Sequence, residues 1–104
     1  MIQNEKIFAD YRIFFSTKQN HYILACTISG IAGHEMFFKI SKEEYDYIVN
    51  DKKHLDRIAY GCAVLRASSP RFLGSQNMVH NHTDSQRAFT AELTAELLAT
   101  KKEF

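Results

Sequence analysis

His80 and His82 have the spacing that most strongly suggests chemistry in this sequence. Residues two apart on a strand share a face, so both imidazoles could bind one metal ion or form an acid–base pair, as in a small ribonuclease. A metal site needs further ligands, and a phosphodiesterase site needs a cation beside the phosphate. Nothing near the two histidines has ligand spacing, and the local arginines are scattered. We therefore expect no metal and no cofactor, and keep a small phosphodiesterase-type enzyme using His80 and His82 as an alternative.

The two cysteines, Cys26 and Cys62, are predicted to be buried and inert. Cys26 falls in mid-strand and Cys62 late in a helix, each on an apolar face, where a free thiol behaves as a small hydrophobic group. The sequence has no Cys-x-x-Cys spacing, and its first residues lack the basic start and apolar run of a signal peptide. These features predict reduced thiols and a cytoplasmic protein.

Composition limits the partners to expect. The chain has 104 residues, of which 45% are hydrophobic and 24% charged, which is ordinary for one globular domain spanning residues 1–104. A net charge of +1 gives no basic footprint for nucleic acid or anionic lipid. No stretch approaches the roughly 18 apolar residues of a membrane span. We predict one domain that binds neither nucleic acid nor membranes.

The first part of the chain predicts a three-stranded antiparallel β-meander. Residues 7–15 alternate with a period of two, with the odd positions inward, and residues 22–28 continue the pattern. Two glycines in residues 30–33 allow a tight reversal before a third strand at residues 36–40. A short fourth strand is predicted at residues 78–82.

Helical patterns follow the meander. Ser41 and Glu44 have the Ser-x-x-Glu spacing of a capping box, after which apolar residues recur at three- and four-residue steps. Polar residues 50–53 interrupt this stripe, and we expect a kink or a break into two helices there. Thr83 or Asp84 then caps a last helix.

The predicted order is β-β-β-α-(β)-α. Strands followed by helices are typical of an α+β fold, here a three- to four-stranded antiparallel sheet with two or three helices packed on one face.

The outward face of this predicted sheet is not cleanly polar. Phe14, Ile23 and Phe37 lie on it among charged side chains, and an apolar centre with a charged rim is typical of a binding surface. Phe14 and Phe37 are therefore candidate partner-binding residues. The alternatives are that the last helix or residues 67–83 cover this face, or that it pairs two copies into a homodimer.

The capped helix carries an acidic and aromatic surface. The candidate partner-binding residues there are Glu43, Glu44, Asp46, Tyr47 and Asp51. Carboxylates suit a basic partner, and an outward tyrosine can anchor an interface. The alternative is a solvated acidic face that complements the helix dipole.

The size, the cytoplasmic signature and the three-strand start that runs into the Ser41-Lys-Glu-Glu-Tyr-Asp-Tyr helix resemble the small bacterial immunity proteins of contact-dependent growth inhibition systems. The resemblance is one of layout and carries over no individual residue. It implies a non-enzymatic inhibitor that binds one toxin domain, such as a nuclease, and covers its active site. Inhibitors of nuclease toxins are often acidic, whereas this chain is acidic only locally, in the helix of residues 41–60.

Overall fold

The computed structural model describes residues 2–8, 11–27, 35–76 and 83–102. Within these residues the chain forms five strands and three α-helices. The strands are β1 (Ile2–Phe8), β2 (Tyr11–Ser16), β3 (His21–Thr27), β4 (Glu35–Ile40) and β5 (Phe72–Ser75). The helices are α1 (Lys42–Asn50), α2 (Lys53–Leu65) and α3 (Asp84–Lys102), with a 3₁₀ turn at Arg66–Ser68.

The strands form one antiparallel sheet in the order β1-β2-β3-β4-β5. The predicted α+β class and antiparallel meander are confirmed, although the sheet has five strands rather than three or four. Phe8 pairs with Tyr11, so the single strand predicted over residues 7–15 is two strands of a hairpin. The strand predicted at residues 78–82 lies outside the described residues.

The edge strand β1 contains a bulge. Its register with β2 shifts between Gln3 and Lys6, and Asn4 there has a φ of 57°. Asparagine is among the few residues with a Cβ that occupy this left-handed region readily. The Tyr45 hydroxyl of α1 donates a hydrogen bond to the Asn4 carbonyl, which ties the bulge to the helix.

Helices cover both faces of the sheet, so the prediction of helices on one face is wrong. The side chains of α1 and α2 pack on one face, against a cluster that includes Ile13, Leu24 and Phe38. Leu93 and Leu97 of α3 pack on the other face. The central strand β3 is apolar on both sides because both are covered, as usually happens in doubly covered sheets.

Side-chain caps define where α1 and α3 begin. The predicted capping box is present: Ser41 Oγ accepts from the Glu44 N–H at 3.0 Å, and Glu44 Oε1 accepts from the Ser41 N–H at 2.9 Å. Thr83, and not Asp84, caps α3, because its Oγ1 accepts from the Gln86 N–H at 3.1 Å. The predicted interruption at residues 50–53 is the break between α1 and α2.

Candidate protein-binding surface

The solvent side of α1 presents two acids and an aromatic ring. Glu43, Asp46 and Tyr47 are all exposed, Tyr47 at 57%. Their spacing of three and four residues places them on one helical face. The Tyr47 ring contacts the His54 ring in the first turn of α2, with 5.4 Å between centroids. We call Glu43, Asp46 and Tyr47 the α1 surface.

Glu44 belongs to the internal structure rather than to this surface. Besides its part in the capping box, its carboxylate accepts from both terminal nitrogens of Arg71, at 2.7 and 2.6 Å. Burial alone would raise the pKa of Glu44, but the hydrogen bonds from Arg71 and Ser41 hold it below its ordinary value. The prediction that Glu44 faces a partner is corrected accordingly, since its oxygens already hold α1 to the start of β5.

Asp51 stands between the two helices. It is exposed, and its Oδ1 accepts from the Lys53 N–H at 3.0 Å, which helps start α2. It therefore lies at the end of α1, beside the surface rather than within it.

Phe14 and Phe37 do not face solvent. Both are 0% exposed and lie with Ile23 beneath Leu93 and Leu97 of α3. The prediction that they bind a partner is wrong, because the last helix covers that face of the sheet. The homodimer predicted through this face loses the exposed aromatic surface on which it was based.

The outer side of α2 is the surface that the sequence patterns missed. Tyr60, Val64 and Leu65 are exposed at 73%, 62% and 47%. Tyr60 and Val64 lie one turn apart on a face that points away from the core residues Leu55, Ala59 and Cys62. The four-residue step between Tyr60 and Val64, off the main apolar stripe, is the signal that could have revealed them.

A groove lies along the flank of α2, between that helix and residues 69–71. It has a volume of about 350 Å³ and is lined by Ile58, Gly61, Cys62, Leu65, Ser69, Pro70 and Arg71. The lining is mainly apolar, and the guanidinium of Arg71 in it is already paired with Glu44. We call it the α2 groove.

Of the residues predicted as candidates for chemistry, the structure describes the two cysteines but not the two histidines. His80 and His82 lie outside the described residues. Among the residues that are described, no group of three or more His, Cys, Asp or Glu side chains could hold a metal ion. Cys62 is buried, as predicted, and burial raises the pKa of its thiol to about 11, whereas Cys26 is only half-buried.

Two further charged groups have partners inside the protein. Arg12 is paired with Glu35 and with Glu5, and its guanidinium lies 5.5 Å from the Phe14 ring centroid. Glu96 is 2% exposed and accepts a hydrogen bond from Ser16 Oγ at 2.5 Å. Arg12 thus links three strands of the sheet, and Glu96 ties α3 to β2.

No protein-family model, curated protein or solved structure matches this chain. Across the described part of the chain, none of the helices combines the length and the apolar character that crossing a membrane requires.

Proposed function

We propose that this protein is a non-enzymatic inhibitor that binds a protein partner through the α1 surface, in the manner of an immunity protein that neutralises a bacterial toxin domain in the cytoplasm. The observation that carries the proposal is the exposed set of Glu43, Asp46 and Tyr47 on one helical face. Tyr47 supplies a broad, rigid contact, and interface energy concentrates in such aromatic anchors. The two carboxylates attract a basic partner and fix its orientation.

The contacts that hold α1 in place make its exposed surface rigid before a partner binds. The capping box and the Glu44–Arg71 ion pair hold its first turn, and His54 packs against the Tyr47 ring. A surface that is ordered before binding loses less conformational entropy on association, which strengthens the complex. The acids would face the cationic groups with which a nuclease-type toxin domain binds phosphates.

Site-specific photo-cross-linking tests the proposal. A photoreactive amino acid replaces Tyr47, and the protein is irradiated in lysate of the native host and analysed by mass spectrometry. We expect one partner that is captured stoichiometrically. The control carries the same group at Leu98, which is also exposed but lies on α3 at the opposite side of the sheet. Equal capture at the two positions, or none at Tyr47, contradicts the proposal.

The captured partner then permits a charge test. Glu43→Lys should slow association and reduce its dependence on salt, because a charge near the interface acts mainly on the association rate. Asp84→Lys is the matched control: Asp84 is also an exposed acid in the first turn of a capped helix, so both changes oppose a helix dipole alike. An identical effect of the two substitutions would remove the α1 surface from the interface.

A further inference from the structure

The α1 surface by itself is small for a protein interface. It consists of three side chains of one helix, Glu43, Asp46 and Tyr47. A specific complex buries about 800 Å² and roughly 20–30 residues on each partner. A partner that rests on the α1 surface therefore also covers neighbouring parts of the molecule. One such neighbour is α2, whose His54 ring contacts the Tyr47 ring.

The outer sides of α1 and α2 face the same direction. The buried residues of both helices, among them Ile48 of α1 and Ala59 of α2, belong to one cluster against the same face of the sheet. The side of each helix opposite to its buried residues therefore points away from the sheet. On α1 that side carries Glu43 and Tyr47, so one partner surface can reach both helices at once.

Four exposed residues of α2 lie on this outer side. Lys53, Arg57, Tyr60 and Val64 follow one another at steps of four, three and four residues. At about 100° per residue these steps place all four within roughly 60° of one another around the helix. His54, one turn before Arg57 and Ile58 and in contact with Tyr47, joins them to the α1 surface. We call Lys53, Arg57, Tyr60 and Val64 the α2 outer face.

The two cations of the α2 outer face lack an internal partner. Within the described ranges of the chain, neither the Lys53 ammonium nor the Arg57 guanidinium forms a hydrogen bond or an ion pair, and the exposed Asp56 pairs with neither of them. Lys53 and Arg57 are also one turn apart, and like charges at that spacing weaken a helix. A carboxylate from another molecule would relieve this repulsion. This face therefore suits an acidic group, in contrast to the acidic α1 surface.

We infer that the α2 outer face is the second half of the interface proposed for α1, and that one protein partner covers both halves. An apolar patch of that partner packs on Tyr60 and Val64, and a carboxylate beside this patch pairs with Arg57. The inference rests on the proposed function and specifies the partner's surface, which carries basic groups opposite α1 and an acidic group opposite α2. Tyr60 is then a second aromatic anchor beside Tyr47. A pattern of both charges fixes a single orientation of the partner.

Photo-cross-linking at Tyr60 tests the inference beside the experiment at Tyr47. The photoreactive amino acid replaces Tyr60, and the position at Leu98 is again the control. We expect the Tyr60 and Tyr47 positions to capture the same protein. No capture at Tyr60, or capture of a different protein there, overturns the inference and leaves the proposed function standing on Tyr47. Failure to capture at Tyr47 contradicts the proposed function and the inference with it.

Affinity measurements with the captured partner test each half of the α2 outer face. Tyr60→Ala should weaken binding by about tenfold or more, because it truncates an aromatic anchor. Its melting temperature should not fall, because Tyr60 is exposed and alanine favours a helix. Leu98→Ala, an exposed apolar truncation on α3, should leave the affinity unchanged.

The charge half of the α2 outer face has its own matched control. Arg57→Glu should weaken binding, whereas Arg87→Glu should not, since Arg87 is an exposed arginine of α3 and both substitutions change the net charge equally. The loss in Arg57→Glu should shrink as salt is added, because salt screens exposed charges. An affinity unchanged by Tyr60→Ala, or equal losses in Arg57→Glu and Arg87→Glu, overturns the inference.

Discussion

Glu96 brings a carboxylate into the contact between α3 and the sheet. Its oxygens accept from Ser16 Oγ at 2.5 Å and from the Lys18 N–H at 3.4 Å. Burial alone would raise the pKa of Glu96, but hydrogen bonds, among them those from Ser16 and Lys18, hold it below its ordinary value. The folded protein thus favours the charged form, and this preference contributes to stability.

The stability that Glu96 contributes should depend on pH, because folding lowers the pKa of this residue. Because the pKa of Glu96 is lower in the folded state, its contribution is complete above the unfolded value of about 4.5 and is lost as the pH falls through the folded value. Glu96→Gln should reduce the free energy of unfolding by about 1–3 kcal/mol at neutral pH, because a charged hydrogen-bond acceptor is lost. At about pH 3 the difference from the unmodified protein should shrink.

Urea unfolding at the two pH values measures this effect, and Glu92→Gln is the control. Glu92 lies one turn earlier on the same helix and is exposed, so its substitution should change stability by less than about 0.5 kcal/mol. A Glu96→Gln deficit of the same size at both pH values would show that the charge of Glu96 does not stabilise the fold.

Glu43 and Glu44 show what a sequence can and cannot predict about single residues. The capping box was predictable because its partners are three residues apart and belong to one helical turn. The Arg71 partner of Glu44 was not, because it lies 27 residues away and approaches only when β5 pairs with β4. The exposed position of Glu43 and the internal role of Glu44 therefore depend on the tertiary fold.

At the scale of elements, the alternation of strand residues between the two faces of the sheet explains the main error in the predicted sheet. A pattern with a period of two continued through residues 7–15, yet Phe8 pairs with Tyr11, and the reversal moves Ile7 to the other face, where it is 72% exposed. The apolar residues Phe14 and Phe37 on that face fit a partner or a helix equally well. Only the packing of α3 decides between them, and no local pattern contains it.

Gly74 sets how closely β5 approaches α3. A Cβ at this position would stand 2.1 Å from Thr90 Oγ1 and 3.1 Å from the Gln86 carbonyl oxygen. Thr90 is buried, and its hydroxyl donates to that same carbonyl at 2.9 Å. The contact between the sheet and α3 therefore requires a residue without a side chain here.

We expect Gly74→Ala to destabilise the protein by about 1–3 kcal/mol, as overpacking usually does. Adding Thr90→Ala should recover part of this loss, because it removes the atom that clashes first, so the two substitutions should not be additive.

Gly61→Ala should instead stabilise by up to about 1 kcal/mol, because that glycine is in a helix with open space around it. Chemical denaturation at low protein concentration measures all three, and additive effects of Gly74→Ala and Thr90→Ala would contradict the clash.

At the scale of the whole molecule, the described residues form a sheet between a layer of α1 and α2 and a layer of α3, and Cys62 is buried beneath the first of these layers. It is 1% exposed, between α2 and the sheet, and burial raises the pKa of its thiol to about 11. In the folded protein the thiol is therefore both shielded and protonated at neutral pH, and a thiolate is the species that reacts.

Alkylation of Cys62 should thus require the layer of α1 and α2 to separate from the sheet. In a Cys26→Ser variant, where Cys62 is the remaining thiol, iodoacetamide labelling at neutral pH should be at least about a thousandfold slower than in the unfolded chain. The labelling rate should rise with urea concentration, because urea increases the fraction of molecules in which this layer is open. Rapid labelling that does not depend on urea would instead show that the α2 groove admits reagents to the sulfur without unfolding.

The bulge of β1 has a consequence for the molecule in a crowded solution. A regular strand at the border of a sheet is a template on which strands of other molecules can add, and such growth leads to cross-β fibrils. At Asn4 the left-handed backbone breaks the regular spacing of this border, and the Asn4 carbonyl is bound by Tyr45. Molecules that meet along β1 therefore find no continuous ladder to extend, and we expect the irregularity to hinder the addition of strands at this edge of the sheet.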